Sequence, residues 1–167
     1  MDERYPGLEM ELDERFQRRE WRVERVAWGV MGAIIIGAVA GVFGGGPVSR
    51  GRAGDVEAGV IVEFDRFARR EAPITLRLVV QPSLIDRDRV QISFNRDFMD
   101  QHRVQAITPT PVASGATDDG VEYLFAADPQ RPLIVTMNLH PIHAGTHQAT
   151  VSVDEKASVL FSTFVYP

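Results

Sequence analysis

The residues best suited to chemistry are imidazoles. The chain holds four histidines, and three of them, His140, His143 and His147, fall within LHPIHAGTHQ. Imidazole nitrogens ligate zinc, copper and nickel, so this H-x2-H-x3-H spacing is the nearest approach to a metal site in the chain. A helix would place His143 and His147 on one face, but Pro141 and Gly145 disfavour a helix there. In a hairpin, His140 and His147 would face each other across the turn with His143 at the tip. The expected state is three exposed histidines on a polar loop. They are the candidates for a transition metal, and the expectation is no metal and no cofactor.

Other reactive constellations are missing. With no cysteine there can be no disulfide, thiolate metal site, cysteine nucleophile or c-type haem attachment. No G-x-S-x-G elbow is present, and Gly44-Gly45-Gly46-Pro47 lacks the Lys-Ser/Thr of a phosphate loop. Asp86-x-Asp88 and Asp118-Asp119-Gly120 offer carboxylates for calcium, but Asp and Gly at such positions first signal turns. Arg66, Arg69 and Arg70 cluster beside Phe64 and Phe67, either as a solvated strand end or as a contact for lipid headgroups or an acidic partner. The net charge of -5 speaks against binding nucleic acid. No nucleophile–base or metal–acid set emerges, so the chain reads as non-enzymatic, without an evident small-molecule substrate.

The element that would hold these residues is a β domain at 60–167. Ile74, Leu76, Leu78 and Val80 alternate with Thr75, Arg77 and Val79. Val90–Phe94, Val121–Phe125, Leu133–Leu139, Ala149–Val153 and Val159–Phe161 repeat the period of two, separated by turn signals such as Gln81-Pro82-Ser83 and Asp154-Glu155-Lys156. Seven or eight short strands at this spacing predict a mainly β fold, an antiparallel sandwich of immunoglobulin-like type. Phe98–His102 reads as a short helical turn. The C-terminal Phe164-Val165-Tyr166-Pro167 continues an apolar run and predicts a final strand. Residues 47–59, small, polar and Gly-rich, read as a linker.

The N-terminal part has a different period. Leu8–Trp28 lacks Gly and Pro and spaces Leu8, Leu12, Phe16, Val23 and Val26 on one helical face, which predicts a helical arm over 1–25. From Val26 to Ser49, 24 residues carry no charge. A single transmembrane helix is predicted over 26–46, ended by Gly44–Pro47. Ala38-Val39-Ala40 also has the form of a signal cleavage site, but the long, mixed-charge segment before it is unlike a short basic leader. Arg15, Arg18, Arg19, Arg22 and Arg25 precede the span and only Arg50 and Arg52 follow it closely, which predicts a cytoplasmic N-terminus and a periplasmic C-terminal domain at a bacterial inner membrane. Trp21, Arg25 and Trp28 suit the membrane interface. Gly29, Ala33, Gly37 and Gly41, four residues apart, form a ridge on which a partner helix would pack. The span holds no ionisable residue, so it offers no proton relay and no imidazole for a pigment or haem.

The stretches Phe16–Met31 (FQRREWRVERVAWGVM) and Phe161–Pro167 (FSTFVYP) resemble those of small bacterial membrane proteins with one span and a periplasmic β-sandwich. In layout the chain is also similar to a non-pigmented accessory subunit of a bacterial photosynthetic reaction-centre complex, a resemblance that no residue motif carries. Both imply a structural role among other membrane-protein subunits in a lipid bilayer. The alternative is a membrane-tethered periplasmic sensor or metal-binding module centred on the three histidines.

Overall fold

The computed structural model describes residues 14–40 and 49–167. The chain divides into two compact units that meet in sequence at Val39 and Ala40. The first contains helix α1, Glu14–Ala40. The second contains eleven strands among the described residues: β1 Arg50–Asp55, β2 Val60–Asp65, β3 Phe67–Arg69, β4 Ile74–Val80, β5 Arg89–Asn95, β6 His102–Thr108, β7 Ala113–Ala116, β8 Gly120–Ala126, β9 Leu133–Pro141, β10 Gly145–Val153 and β11 Ala157–Tyr166. A short helix, α2, Arg96–Asp100, joins β5 to β6.

Helix α1 runs through the boundary expected at 25/26 without a break, because no Gly or Pro interrupts it there. The expected membrane-crossing helix over 26–46 is not supported. No helix among the described residues is long and apolar enough to cross a membrane. Glu24 and Arg25 bound the uncharged part at Val26, and the described helix ends at Ala40. Those fifteen residues (26 to 40) rise about 22 Å, short of a ~30 Å hydrocarbon core. Residues 1–13 of the arm and 41–46 of the span lie outside the described residues.

The β unit is built from two sheets, in the orders β1-β2-β4-β9-β6 and β3-β11-β10-β5-β8-β7. All pairs are antiparallel except β3 with β11, which is parallel. Alternation sends one side of each central strand inward. Leu76, Leu78, Val135, Met137 and Leu139 from one sheet meet Ile92, Phe94, Phe125, Val151 and Phe161 from the other in one buried core. Each such side chain, fully buried, contributes roughly 1.5–3 kcal/mol of transfer free energy.

Three expectations change. The stretch read as a linker supplies β1, in register with β2 from Arg50↔Asp65 to Asp55↔Val60. It had looked like linker because an edge strand needs little apolar alternation; Gly51 packs instead beneath the Phe64 ring, with no room for a side chain. Eleven strands replace the expected seven or eight. Third, His140 and His147 do not flank a hairpin. β9 pairs with β4 and β6 in one sheet, whereas β10 pairs with β11 and β5 in the other. The segment between them crosses from sheet to sheet. The aspartates act as turn formers. Asp86 and Arg89 exchange backbone hydrogen bonds around Arg87 and Asp88, both at positive φ, and the Thr117 N–H bonds the Gly120 carbonyl across Asp118 and Asp119.

Candidate functional site

The densest arrangement of polar groups in the core lies where α2 hands the chain to β6. α2 is a short turn placed by Phe98, whose side chain is almost wholly buried among Phe94, Phe161 and His102. The carbonyls of the last helical turn have no partner within the helix. The Phe98 carbonyl accepts two hydrogen bonds, from the Gln101 N–H at 3.2 Å and from the ring of His102 through Nδ1 at 2.7 Å. The His102 ring also stacks at a tilt on the Phe98 ring, with 4.1 Å between centroids.

His147 approaches from β10 of the opposite sheet. Its ring stands edge-on to His102, and its Nδ1 lies 3.4 Å from His102 Nε2. Both histidines are buried. Because a carbonyl only accepts, His102 carries its proton on Nδ1 and presents a lone pair at Nε2. His147 Nδ1 faces that lone pair over a long and weak contact. Two buried rings thus connect β10 to the end of α2. Nearby, the Gln101 side-chain oxygen is buried without a hydrogen-bond partner among the described residues.

The electrostatics match. Burial, chiefly, pulls the His102 pKa down to about 4; the Phe98 carbonyl pushes it back up and the neighbouring His147 lowers it further. Burial also lowers His147, with His143 adding to the effect and the His143 backbone carbonyl opposing it. On each ring the charged form loses hydration, and that loss outweighs the carbonyl that favours it. The pair is therefore a neutral unit that resists protonation.

The three histidines expected as metal candidates are separated. His140 lies half-buried on β9 opposite Arg103, His143 is exposed in the crossing segment, and only His147 enters the buried site. Among the described residues, no group of three His, Asp or Glu side chains stands close enough to hold a metal ion. His147 has instead found His102, which belongs to no histidine cluster in the sequence. The available signal was the i, i+4 spacing of Phe98 and His102 on a helical turn.

On α1, Gly29, Ala33 and Gly37 recur at the expected spacing of four, and Gly41 lies outside the described residues. A Cβ at Gly29 would meet nothing within 4 Å. Trp21 and Trp28 are exposed, and the Arg25 guanidinium sits 3.6 Å above the Trp21 ring centroid, a cation–π pair.

The outer face of the β1-β2-β4 sheet carries a cleft of about 590 Å3 lined by Arg50, Arg52, Glu63, Asp65, Thr75 and Arg77. Its charges largely answer one another. Arg77 pairs with Glu63 at 2.8 Å. Burial raises the Asp65 pKa, opposed by a hydrogen bond from the Thr75 backbone and by Arg50.

No protein-family model matches the chain, and no curated protein matches it in sequence.

Proposed function

We propose that the protein is a non-catalytic accessory subunit of a bacterial inner-membrane complex. In this reading residues 26–46 are buried in lipid and among partner helices, and the β domain docks on neighbouring subunits at the periplasmic side. The observation that carries it is the state of α1. Val26, Ile34, Ile35, Ile36 and Val39 are all more than half exposed, Val39 at 80%. A helix apolar around its circumference calls for an apolar environment. In sequence the uncharged run continues to Ser49, so the segment available for burial is longer than the described helix. The small residues Gly29, Ala33, Gly37 and Gly41 give a partner helix close access, Trp21, Arg25 and Trp28 suit the headgroup layer, and the arginine asymmetry sets the N-terminus in the cytoplasm.

For the β domain, the strand orders β2-β4-β9 and β11-β10-β5 support an immunoglobulin-like reading, since they follow the A-B-E and G-F-C orders of that sandwich. A sandwich of this kind can dock on a neighbour through its faces and loops. A photosynthetic reaction-centre–antenna complex is one setting that fits, as α1 offers no ligand for a pigment.

The test is affinity purification from native membranes in mild detergent, with Gly37→Leu/Gly41→Leu beside the unaltered chain. Partner subunits should accompany the unaltered chain and be lost from the variant. Association that survives both substitutions removes the ridge from the reading. Recovery of the whole protein in the soluble fraction removes the membrane.

A further inference from the structure

One end of the β domain carries a surface that the accessory-subunit reading leaves unused. Ser49, the last residue of the uncharged run, is fully buried. Its carbonyl accepts the Arg66 N–H at 2.6 Å, and its hydroxyl donates to the Phe67 carbonyl at 3.4 Å. The start of β1 is thereby tied to the corner between β2 and β3. On this corner Arg66, Arg69 and Arg70 are exposed, as is Arg50 next to Ser49. Beside it runs the outward face of β11, where Leu160 is 67% exposed and Phe164 41%. Phe67 and Tyr166 stack at 6.1 Å, and Phe164 meets Tyr166 edge-on at 5.1 Å. A groove of about 420 Å3 opens between Arg66, Phe67, Leu160 and Phe164.

The charge is uneven along the strands. At the corner, four arginines stand with two carboxylates, half-buried Asp65 and exposed Glu71; across the rest of the same end, α2, the start of β6 and the turn before β8 add exposed Asp97, Asp100, Asp118 and Asp119 against Arg96 and Arg103. The turns at the far end carry seven acidic residues (Asp55, Glu57, Asp86, Asp88, Asp128, Asp154, Glu155) against Arg87, Arg89, Arg131 and Lys156. The basic, aromatic corner is thus the part of its end that adjoins Ser49, the residue that closes the uncharged run.

We infer that this corner rests on an anionic bilayer surface. The guanidinium groups of Arg66, Arg69 and Arg70 take lipid phosphates, and Leu160 and Phe164 enter the boundary between headgroups and acyl chains. Arginine suits phosphate oxygens because its planar fork donates two hydrogen bonds at once, and aromatic side chains settle at headgroup depth. The inference rests on the membrane-anchored reading, which holds the domain near a bilayer but does not say which surface of the domain touches it.

The absence of cysteine allows a clean test with the full chain. Ser162→Cys, exposed on β11 between Leu160 and Phe164, carries a fluorophore; Glu155→Cys at the far end is the control. Each labelled chain is mixed with vesicles of phosphatidylcholine alone, or with one third phosphatidylglycerol, containing a headgroup-level quencher. Flotation reports anchoring and quenching reports the corner. The expected result is flotation with both compositions, with quenching at position 162 only in the anionic vesicles and none at 155. Raising salt should weaken that quenching, because charge screening shortens the reach of exposed arginines. Each arginine near an anionic surface is worth about fivefold in binding. Arg66→Gln/Arg69→Gln/Arg70→Gln should therefore shift the contact equilibrium about a hundredfold, with flotation unchanged. Flotation without quenching at 162, or equal quenching in both compositions, overturns the inference while the anchored reading stands. No flotation overturns both.

Discussion

Replacing His102 by phenylalanine should flatten the pH dependence of stability below pH 6.5. In the unfolded chain this imidazole titrates at its ordinary value of 6.5, and in the fold burial holds it at about 4. Between those two values the unfolded state carries a proton that the folded state does not. Stability is therefore complete above pH 6.5 and falls as pH drops toward 4, at about 1.4 kcal/mol per pH unit for one proton, or about 3 kcal/mol across the window. His147, lowered for the same leading reason, adds a loss of the same sign starting from the same pH. The phenylalanine variant keeps a ring against Phe98 but removes the donor to the Phe98 carbonyl, which should cost about 1–3 kcal/mol at pH 7.5. Urea midpoints of both proteins at half-unit steps from pH 7.5 to 4.5 provide the measurement. The variant should start less stable and lose less on acidification, so that the two curves converge near pH 5. Subtracting them cancels the carboxylates, which titrate alike in both. Parallel curves would refute the reasoning, for they would mean that His102 binds its proton as readily folded as unfolded.

Two further outcomes follow from packing and charge. A Cβ on Gly120 would run into the Phe94 carbonyl oxygen, whereas one on Gly115 would meet open space; Gly120→Ala should lower stability by about 2 kcal/mol or more, and Gly115→Ala by less than about 0.5, as thermal melts of the two variants would report. The Glu63–Arg77 ion pair leaves both side chains 44% exposed, so a double-mutant cycle with Gln at both positions should give a coupling below about 1 kcal/mol that shrinks in 1 M salt.

The parts of the fold that could be read in advance are those whose pattern is local. Ile74, Leu76, Leu78 and Val80 are buried at alternate positions of β4, and the same holds along β5, β9, β10 and β11. The helical turn at Phe98 and the turns at Pro82 and Asp154 also announce themselves by residue type. The edge strands do not. β1 reads RGRAGD and β7 reads ASGA, with no apolar alternation, because a strand paired on one side needs little beyond its backbone ladder. In β6 a register shift between Val104 and Ala106 breaks the period that would have revealed it. The histidine pair was hidden for another reason. His102 and His147 are 45 residues apart, and their meeting depends on β6 and β10 belonging to different sheets that share one core. No spacing along the chain encodes that, and the visible cluster of His140, His143 and His147 pointed to a pairing that the crossing between sheets prevents.

The burial of Ser49 bears on how the domain would carry mechanical load. Consider a pull applied at Ser49 along the axis of β1, away from Asp55, with the rest of the domain held. The six paired positions of β1 and β2 would then resist in shear, all rungs strained at once, with the Ser49 links to Arg66 and Phe67 as the first to yield. A strand pulled sideways would unzip one rung at a time under far smaller force.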